Sequence, residues 1–241
     1  MPRNFATHTP IRLIPALLGA FLLASAAAAG AAAPASAPAP AAPGPASPPA
    51  ASRAQPLVVF LGDSLTAGLG LDGDQAFPAL LGRELRGDGL PVRVINAGVS
   101  GDTTAGGLRR LQWLLAQHPA VLVLGLGAND GLRGADVAGI ERNLREIVTR
   151  SRQAGARVLL LGMRMPPNYG PDYTTAFAAI YPRIAADLQV PLVPFLLAGV
   201  GGVPGLNQAD GIHPTTAGEV KVAANVKPYL EAILRRLPAG R

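Results

Sequence analysis

The chain has 241 residues, a formal net charge of +6 and 49% hydrophobic side chains, enough for one domain with a sizeable core once an atypical N-terminal stretch is set aside. It contains no cysteine, which excludes disulfides, thiolate metal sites, a cysteine nucleophile and a lipidated N-terminal cysteine. The basic residues are scattered and not interleaved with aromatics, a pattern that argues against nucleic-acid recognition.

Arg3 and Arg12 precede an apolar stretch, residues 13–24, and then a run containing Ala27, Ala29, Ala31 and Ala33. Positive, apolar, then small is the order of a secretory signal, so residues 1–33 are read as a signal peptide and the protein as secreted or periplasmic. An uncleaved membrane anchor is the competing reading, against which the apolar core is short for a span. Removing Arg3 and Arg12 with the leader leaves a net charge of +4 and no stable membrane span. Residues 34–56 are almost all Ala, Pro, Ser and Gly, too little to bury, and are expected to form an extended or disordered linker.

The folded part is expected over residues 57–241, about 185 residues. It opens on Leu57-Val58-Val59-Phe60, apolar without alternation, as a strand buried on both faces should be. Further strands are expected at residues 92–96, 120–126, 157–161 and 190–194. Helices are expected at residues 75–86, 104–117, 137–154, 174–188 and 214–237, the last with Pro214 in its first turn and a kink at Pro228. In the third helix Val137, Ile140, Leu144, Ile147 and Val148 follow the spacing of a face laid on a core. Five strands alternating with five helices predict a parallel sheet with right-handed crossovers and helices on both faces, and a site at the carboxyl ends of the strands.

The polar, glycine-rich segments fall at those strand ends. The first strand runs into Gly62-Asp63-Ser64, the second into Asn96 to Thr103, the third into Gly125 to Gly131, and Asp210-Gly211-Ile212-His213-Pro214 precedes the last helix. A serine hydroxyl is a poor nucleophile without a base to take its proton and donors for the oxyanion it creates. Ser64 can serve as nucleophile, His213 as base and Asp210, three residues earlier, as the carboxylate that orients the imidazole. The backbone N–H groups of Ser64 and Gly101 and the side-chain amide of Asn129 can bind the oxyanion. Each feature alone has a plainer meaning: a turn serine caps helices, Asn129 and Asp130 suit turns, and Gly101 suits a tight bend. Of the other histidines, His8 lies in the leader and His118 at a helix end, which leaves His213 as the plausible base. Asp63 and Asp102 are read as carboxylates that fix their loops, Asp130 as a residue that bonds its own loop and so holds Asn129, and Met163, Met165 and Trp113 as core or pocket lining.

Taken together, Gly62-Asp63-Ser64-Leu65, Gly101 in Ser100-Gly101-Asp102, Gly127-Ala128-Asn129-Asp130 and Asp210-Gly211-Ile212-His213-Pro214 resemble the four blocks of the SGNH (GDSL) hydrolase family. They occur in the family's order, and the resemblance spans residues 56–237. Asn96 to Thr104, Asn129 to Gly134 and Pro167-Asn168-Tyr169-Gly170 are most similar to its periplasmic multifunctional thioesterase, lysophospholipase and arylesterase group. The resemblance implies a flavodoxin-like three-layer α/β/α sandwich around a five-stranded parallel sheet. It also implies Ser64, Asp210 and His213 as catalytic residues, with the oxyanion held by Ser64, Gly101 and Asn129. Ala128 departs from the group, whose members often have glycine there.

The segment from Met163 to Tyr173, rich in proline and aromatics, follows the fourth strand and would form a loop able to cover an acyl chain, with Asn168 and Tyr169 as substrate-binding residues. The resemblance implies acyl or aryl esters, acyl thioesters or lysophospholipids as small-molecule substrates. It implies no cofactor and no metal, and a monomer is expected. Two other readings stay open: a carbohydrate O-acetylesterase with the same triad, and a non-catalytic lipid- or glycan-binding module.

Overall fold

The computed structural model describes residues 55–238; the segment read as a signal peptide and nearly all of the segment read as a linker lie outside them. Five parallel strands, β1 (Leu57–Gly62), β2 (Arg93–Gly98), β3 (Val121–Gly125), β4 (Arg157–Leu161) and β5 (Leu192–Val193), form one sheet in the order β2-β1-β3-β4-β5. The helices between and after them are α1 (Ser64–Ala67), α2 (Phe77–Gly87), α3 (Thr104–Leu115), α4 (Ala128–Leu132), α5 (Val137–Gln153), α6 (Pro171–Leu188) and α7 (Thr216–Leu234). A single 3-10 turn at Pro167–Tyr169 precedes α6.

With this strand order the chain moves outward from β1 to β2 and then crosses back over to β3. Right-handed crossovers therefore put α2 on one face of the sheet and α3, α5 and α6 on the other. The packing agrees: α2 packs on α7, α3 on α5, and α5 on α6. This is the doubly wound, flavodoxin-like sandwich expected from the alternation of strands and helices. Its topological switch lies between β1 and β3, where such sheets form a crevice at the carboxyl ends of the strands. Every residue of β1 and β3 is buried, as a central strand covered on both faces requires. Phe60 sets its ring edge-on to Phe77 of α2, with centroids 5.6 Å apart.

Several boundaries differ from those read off the sequence, each for a local reason. β5 is only two residues long because Pro191 and Pro194 flank it and donate nothing to a ladder. α6 starts three residues earlier than expected, at Pro171, which suits the first helical position. Pro214 is not in the first turn of the last helix. It forms an isolated antiparallel bridge with Asn207, and Thr215 caps α7 by accepting from the Gly218 N–H. α7 continues through Pro228 as one helix. Trp113 is neither core nor lining: it is 69% exposed, because Leu111 and Leu114 take the buried stripe of α3 and a residue between them points away.

Candidate active site

The turn after β1 is built by Asp63. Its carboxylate accepts from the Leu65 N–H (Oδ1, 3.0 Å) and so caps α1, which sets Ser64 at the first helical position directly beyond the strand. The last turn before α7 is built by Asp210 in the same way. Its Oδ1 accepts from the N–H groups of Ile212 (2.9 Å) and His213 (3.0 Å), which curls the chain so that the imidazole folds back on the carboxylate. His213 Nδ1 lies 2.6 Å from Asp210 Oδ2, and its Nε2 lies 2.8 Å from Ser64 Oγ. Two loops 149 residues apart in the chain are thus joined through one imidazole.

The protonation pattern follows. The His213 side chain and the two backbone N–H groups hold the Asp210 carboxyl down to about 2, so at working pH it is an acceptor only. Nδ1 must then carry the hydrogen, and the lone pair of Nε2 faces the Ser64 hydroxyl. The Ser64 hydroxyl can donate along that line and leave Oγ nucleophilic. The imidazole is largely shielded, with 14% of its side chain exposed, while Asp210 stands at the rim with 44% exposed. Asp63 is shifted the other way: burial, which outweighs the bond from the Leu65 N–H, pushes its carboxyl up to about 6.

The other predicted residues divide. The Asn129 amide nitrogen donates to the Asp102 carbonyl (3.0 Å) and lies 3.5 Å from Asp63 Oδ2, and Asn129 lines the same cleft as Ser64 and His213. Gly101 sits in the turn after β2 with φ 78°, a left-handed conformation that favours glycine; neither its N–H nor that of Ser64 has an acceptor among the described residues. Asn168 and Tyr169 are not in the cleft. Pro166 and Pro167 of the same loop line it, while Tyr169 turns its hydroxyl to the Leu132 carbonyl (2.9 Å) and begins an aromatic column with Tyr173 and Phe177. Asp130 does not bond its own loop. Its carboxylate accepts from the backbone N–H (2.9 Å) and the hydroxyl (2.7 Å) of Thr104, which pins the start of α3 to α4.

The cleft encloses about 620 Å³. Beyond Ser64 and His213 its walls are mostly apolar, with Leu65, Leu132, Met163, Met165, Phe195, Leu197 and Ile212, so it can desolvate a hydrocarbon chain beside a reacting carbonyl. Phe195, Leu197 and Ile212 escaped the sequence reading because they lie on irregular segments without periodicity. Arg110 escaped it too, although its place on the buried stripe of α3, between Gly107 and Leu111 and Leu114, is a signal: a charge there needs partners for its head.

A family profile described as "GDSL-like Lipase/Acylhydrolase family" matches residues 60–220, and the chain belongs to that family of ester-cleaving hydrolases. It is 51% identical over 182 residues to "Esterase TesA" of Pseudomonas aeruginosa, an alignment covering 75% of this chain and 90% of the relative. Against "Thioesterase 1/protease 1/lysophospholipase L1" of Escherichia coli K12 the identity is 42% over 185 residues, covering 76% and 87%. Among solved structures, the psychrotrophic esterase EstA from Pseudoalteromonas sp., inhibited by monoethylphosphonate, superposes with a TM-score of 0.71 at 33% identity, covering 75% of this chain and 99% of that one.

Proposed function

We propose that the protein is a serine hydrolase that transfers the acyl group of an ester or thioester to Ser64 and then to water. The observation that carries this reading is the imidazole of His213, held at 2.6 Å by Asp210 and 2.8 Å from Ser64 Oγ. His213 takes the Ser64 proton as Oγ attacks the carbonyl carbon, and the carbonyl electrons move to the oxygen. The Ser64 and Gly101 N–H groups and the Asn129 amide stabilise that oxyanion. As the tetrahedral intermediate collapses, the leaving alcohol or thiol takes the proton from His213. A water then enters, His213 removes its proton, and the same sequence releases the carboxylic acid and restores Ser64.

The apolar cleft favours acyl or aryl esters, acyl thioesters and lysophospholipids over an acetylated glycan, whose acyl group is short and whose leaving group is polar. The reading of residues 1–33 as a signal peptide supports a location in the periplasm or outside the cell, and the enzyme is proposed to act there as a monomer. Among the described residues no helix is long and apolar enough to cross a membrane.

The test is labelling with an active-site-directed fluorophosphonate, alongside hydrolysis of a p-nitrophenyl ester series from acetyl to dodecanoyl, acyl-CoA and lysophosphatidylcholine. The wild type should be labelled at Ser64 and prefer chains longer than acetyl. Ser64→Ala should lose labelling and hydrolysis with little change in melting temperature. Hydrolysis persisting in Ser64→Ala would overturn the nucleophile, and a preference for acetylated glycan would overturn the substrate class.

A further inference from the structure

We propose that Arg110 is a positioning residue for the oxyanion site, acting through Asp102 on the amide of Asn129. The inference rests on the acyl-transfer reading above. Arg110 lies two turns into α3, and its guanidinium reaches back to the rim of the sheet rather than out to solvent. Nη2 donates to the Gly62 carbonyl (2.9 Å), Nη1 to the Ala97 carbonyl (2.6 Å) and Nε to Asp102 Oδ2 (2.8 Å). Gly62 and Ala97 are at the carboxyl ends of β1 and β2, and the Gly62 carbonyl, which also accepts from the Val99 N–H (3.0 Å), has a second lone pair for the guanidinium. The Gly62 carbonyl belongs to the peptide that leads into Asp63 and Ser64. The pair with Asp102 is well shielded, with side-chain exposures of 23% for Arg110 and 10% for Asp102.

Asp102 passes this anchorage on. Its N–H donates to the Val99 carbonyl (3.0 Å), closing the turn that contains Gly101. Its own carbonyl accepts from Asn129 Nδ2 (3.0 Å). An amide nitrogen carries two hydrogens, and tying one to a fixed carbonyl aims the other. Among the described residues its one other acceptor, Asp63 Oδ2 at 3.5 Å, is too distant for a good bond, so the second hydrogen stays available for an oxyanion. The seat of Asp102 is tight as well, since a Cβ on Gly106 would overlap its carboxylate. One guanidinium therefore holds, within one bond or two, the nucleophile turn, the Gly101 turn and the Asn129 amide. Three acceptors in three directions suit a planar fork, and the ammonium of a lysine cannot reach them together.

A merely structural staple between β1 and β2 would make Arg110 matter for folding but not for the donor. The experiment is therefore a double-mutant cycle of Arg110→Lys with Asn129→Ala on the full chain, reading kcat and KM on a p-nitrophenyl ester. Melting temperature and fluorophosphonate labelling of Ser64 are recorded for each variant. Misplacing a donor costs less than removing it, so Arg110→Lys should lower kcat by about 10-fold to 10²-fold with KM within about 3-fold. With Asn129 already replaced by alanine, the same change should cost less than about 3-fold, because the group it positions is gone. Asp102→Asn, which keeps the carbonyl and the side-chain acceptor, should retain more activity than Arg110→Lys. Full activity in folded Arg110→Lys, or an equal loss with and without Asn129, overturns the inference, as does a loss that merely follows the unfolded fraction. A wild type unlabelled at Ser64 overturns the acyl-transfer reading itself, and the inference with it, whereas a labelled wild type with an additive cycle overturns only the role of Arg110.

Discussion

Glu219 is a carboxylate in the wrong place for stability, and removing its charge should strengthen the fold. It lies in the first turn of α7, 1% exposed, with Oε2 accepting from the Phe77 N–H at 2.8 Å. Ala76, the N-cap of α2, offers no side-chain bond, so Glu219 serves as a cap supplied from another helix. The helix end favours a negative charge by about 0.3–1 kcal/mol, but no cation pairs with Glu219 among the described residues, and burial wins: the carboxyl is pushed from 4.5 up to about 7. Such a shift amounts to about 3 kcal/mol. Its sign is fixed by linkage. Between pH 4.5 and 7 the unfolded chain loses this proton while the folded one keeps it, so stability is full below 4.5, falls as pH rises, and levels off above 7. Glu219→Gln keeps the acceptor for Phe77 and cannot ionise. At pH 4 the variant and the wild type should unfold at the same urea concentration. At pH 8 the variant should be more stable by about 3 kcal/mol, or roughly 6–12 °C in melting temperature for a domain of this size. Other titrating groups, including Asp63, are common to both proteins and cancel in the difference. A difference that does not change with pH, or a variant less stable at pH 8 than at pH 4 relative to wild type, would refute the reasoning.

The remaining predictions concern the cleft. Asn129→Ala should retain the fold by circular dichroism and lower kcat on p-nitrophenyl esters by about 10²–10³; a near-normal rate would remove Asn129 from the oxyanion site. Asp210→Ala should leave Ser64 in place but free the imidazole to adopt the wrong tautomer, lowering kcat by about 10² or more, with KM little changed. Met165→Ala, which removes a buried side chain from the cleft wall, should cost about 2–5 kcal/mol in urea unfolding and shift the best p-nitrophenyl ester toward a longer acyl chain. An unshifted chain-length profile would place the acyl group elsewhere.

The sheet was legible because short apolar runs alternate along the chain with longer segments suited to helices. The uninterrupted apolar run of β1 could only be central, and the stripe of α5 named its buried face before any partner was known. The misplacements arose where one residue type serves two local geometries. Pro214 fits a first helical turn, but the pairing of Asn207 with Pro214 holds it one step outside, and Thr215 supplies the cap instead. Trp113 has the bulk of a core residue, yet the angular position of Leu111 and Leu114 leaves it facing outward.

The site divides along the same line. Ser64, Asp210 and His213, which the structure brings within hydrogen-bond reach of one another, were legible because a serine directly after a buried strand and a histidine three residues after an aspartate are chemically distinctive, and the bond between Asp210 and His213 is local. What holds them was not, because it is made of long-range bonds to backbone. Arg110 grips Gly62, 48 residues away, Asp130 grips Thr104, 26 away, and Glu219 caps a helix that begins 142 residues earlier. Asn168 and Tyr169 show the converse error: a loop was rightly brought to the cleft, but which of its side chains face inward is set by the 3-10 turn and by the bond from Tyr169 to the Leu132 carbonyl. A reacting group must be chemically distinctive, so composition betrays it. A positioning group need only match one carbonyl's direction, and an arginine or aspartate doing so looks in the sequence like any solvated charge. The sequence mark that such residues do leave is a charge on a face whose neighbours are buried, as with Arg110 beside Gly107 and Leu111 and Glu219 beside Val222 and Ala223.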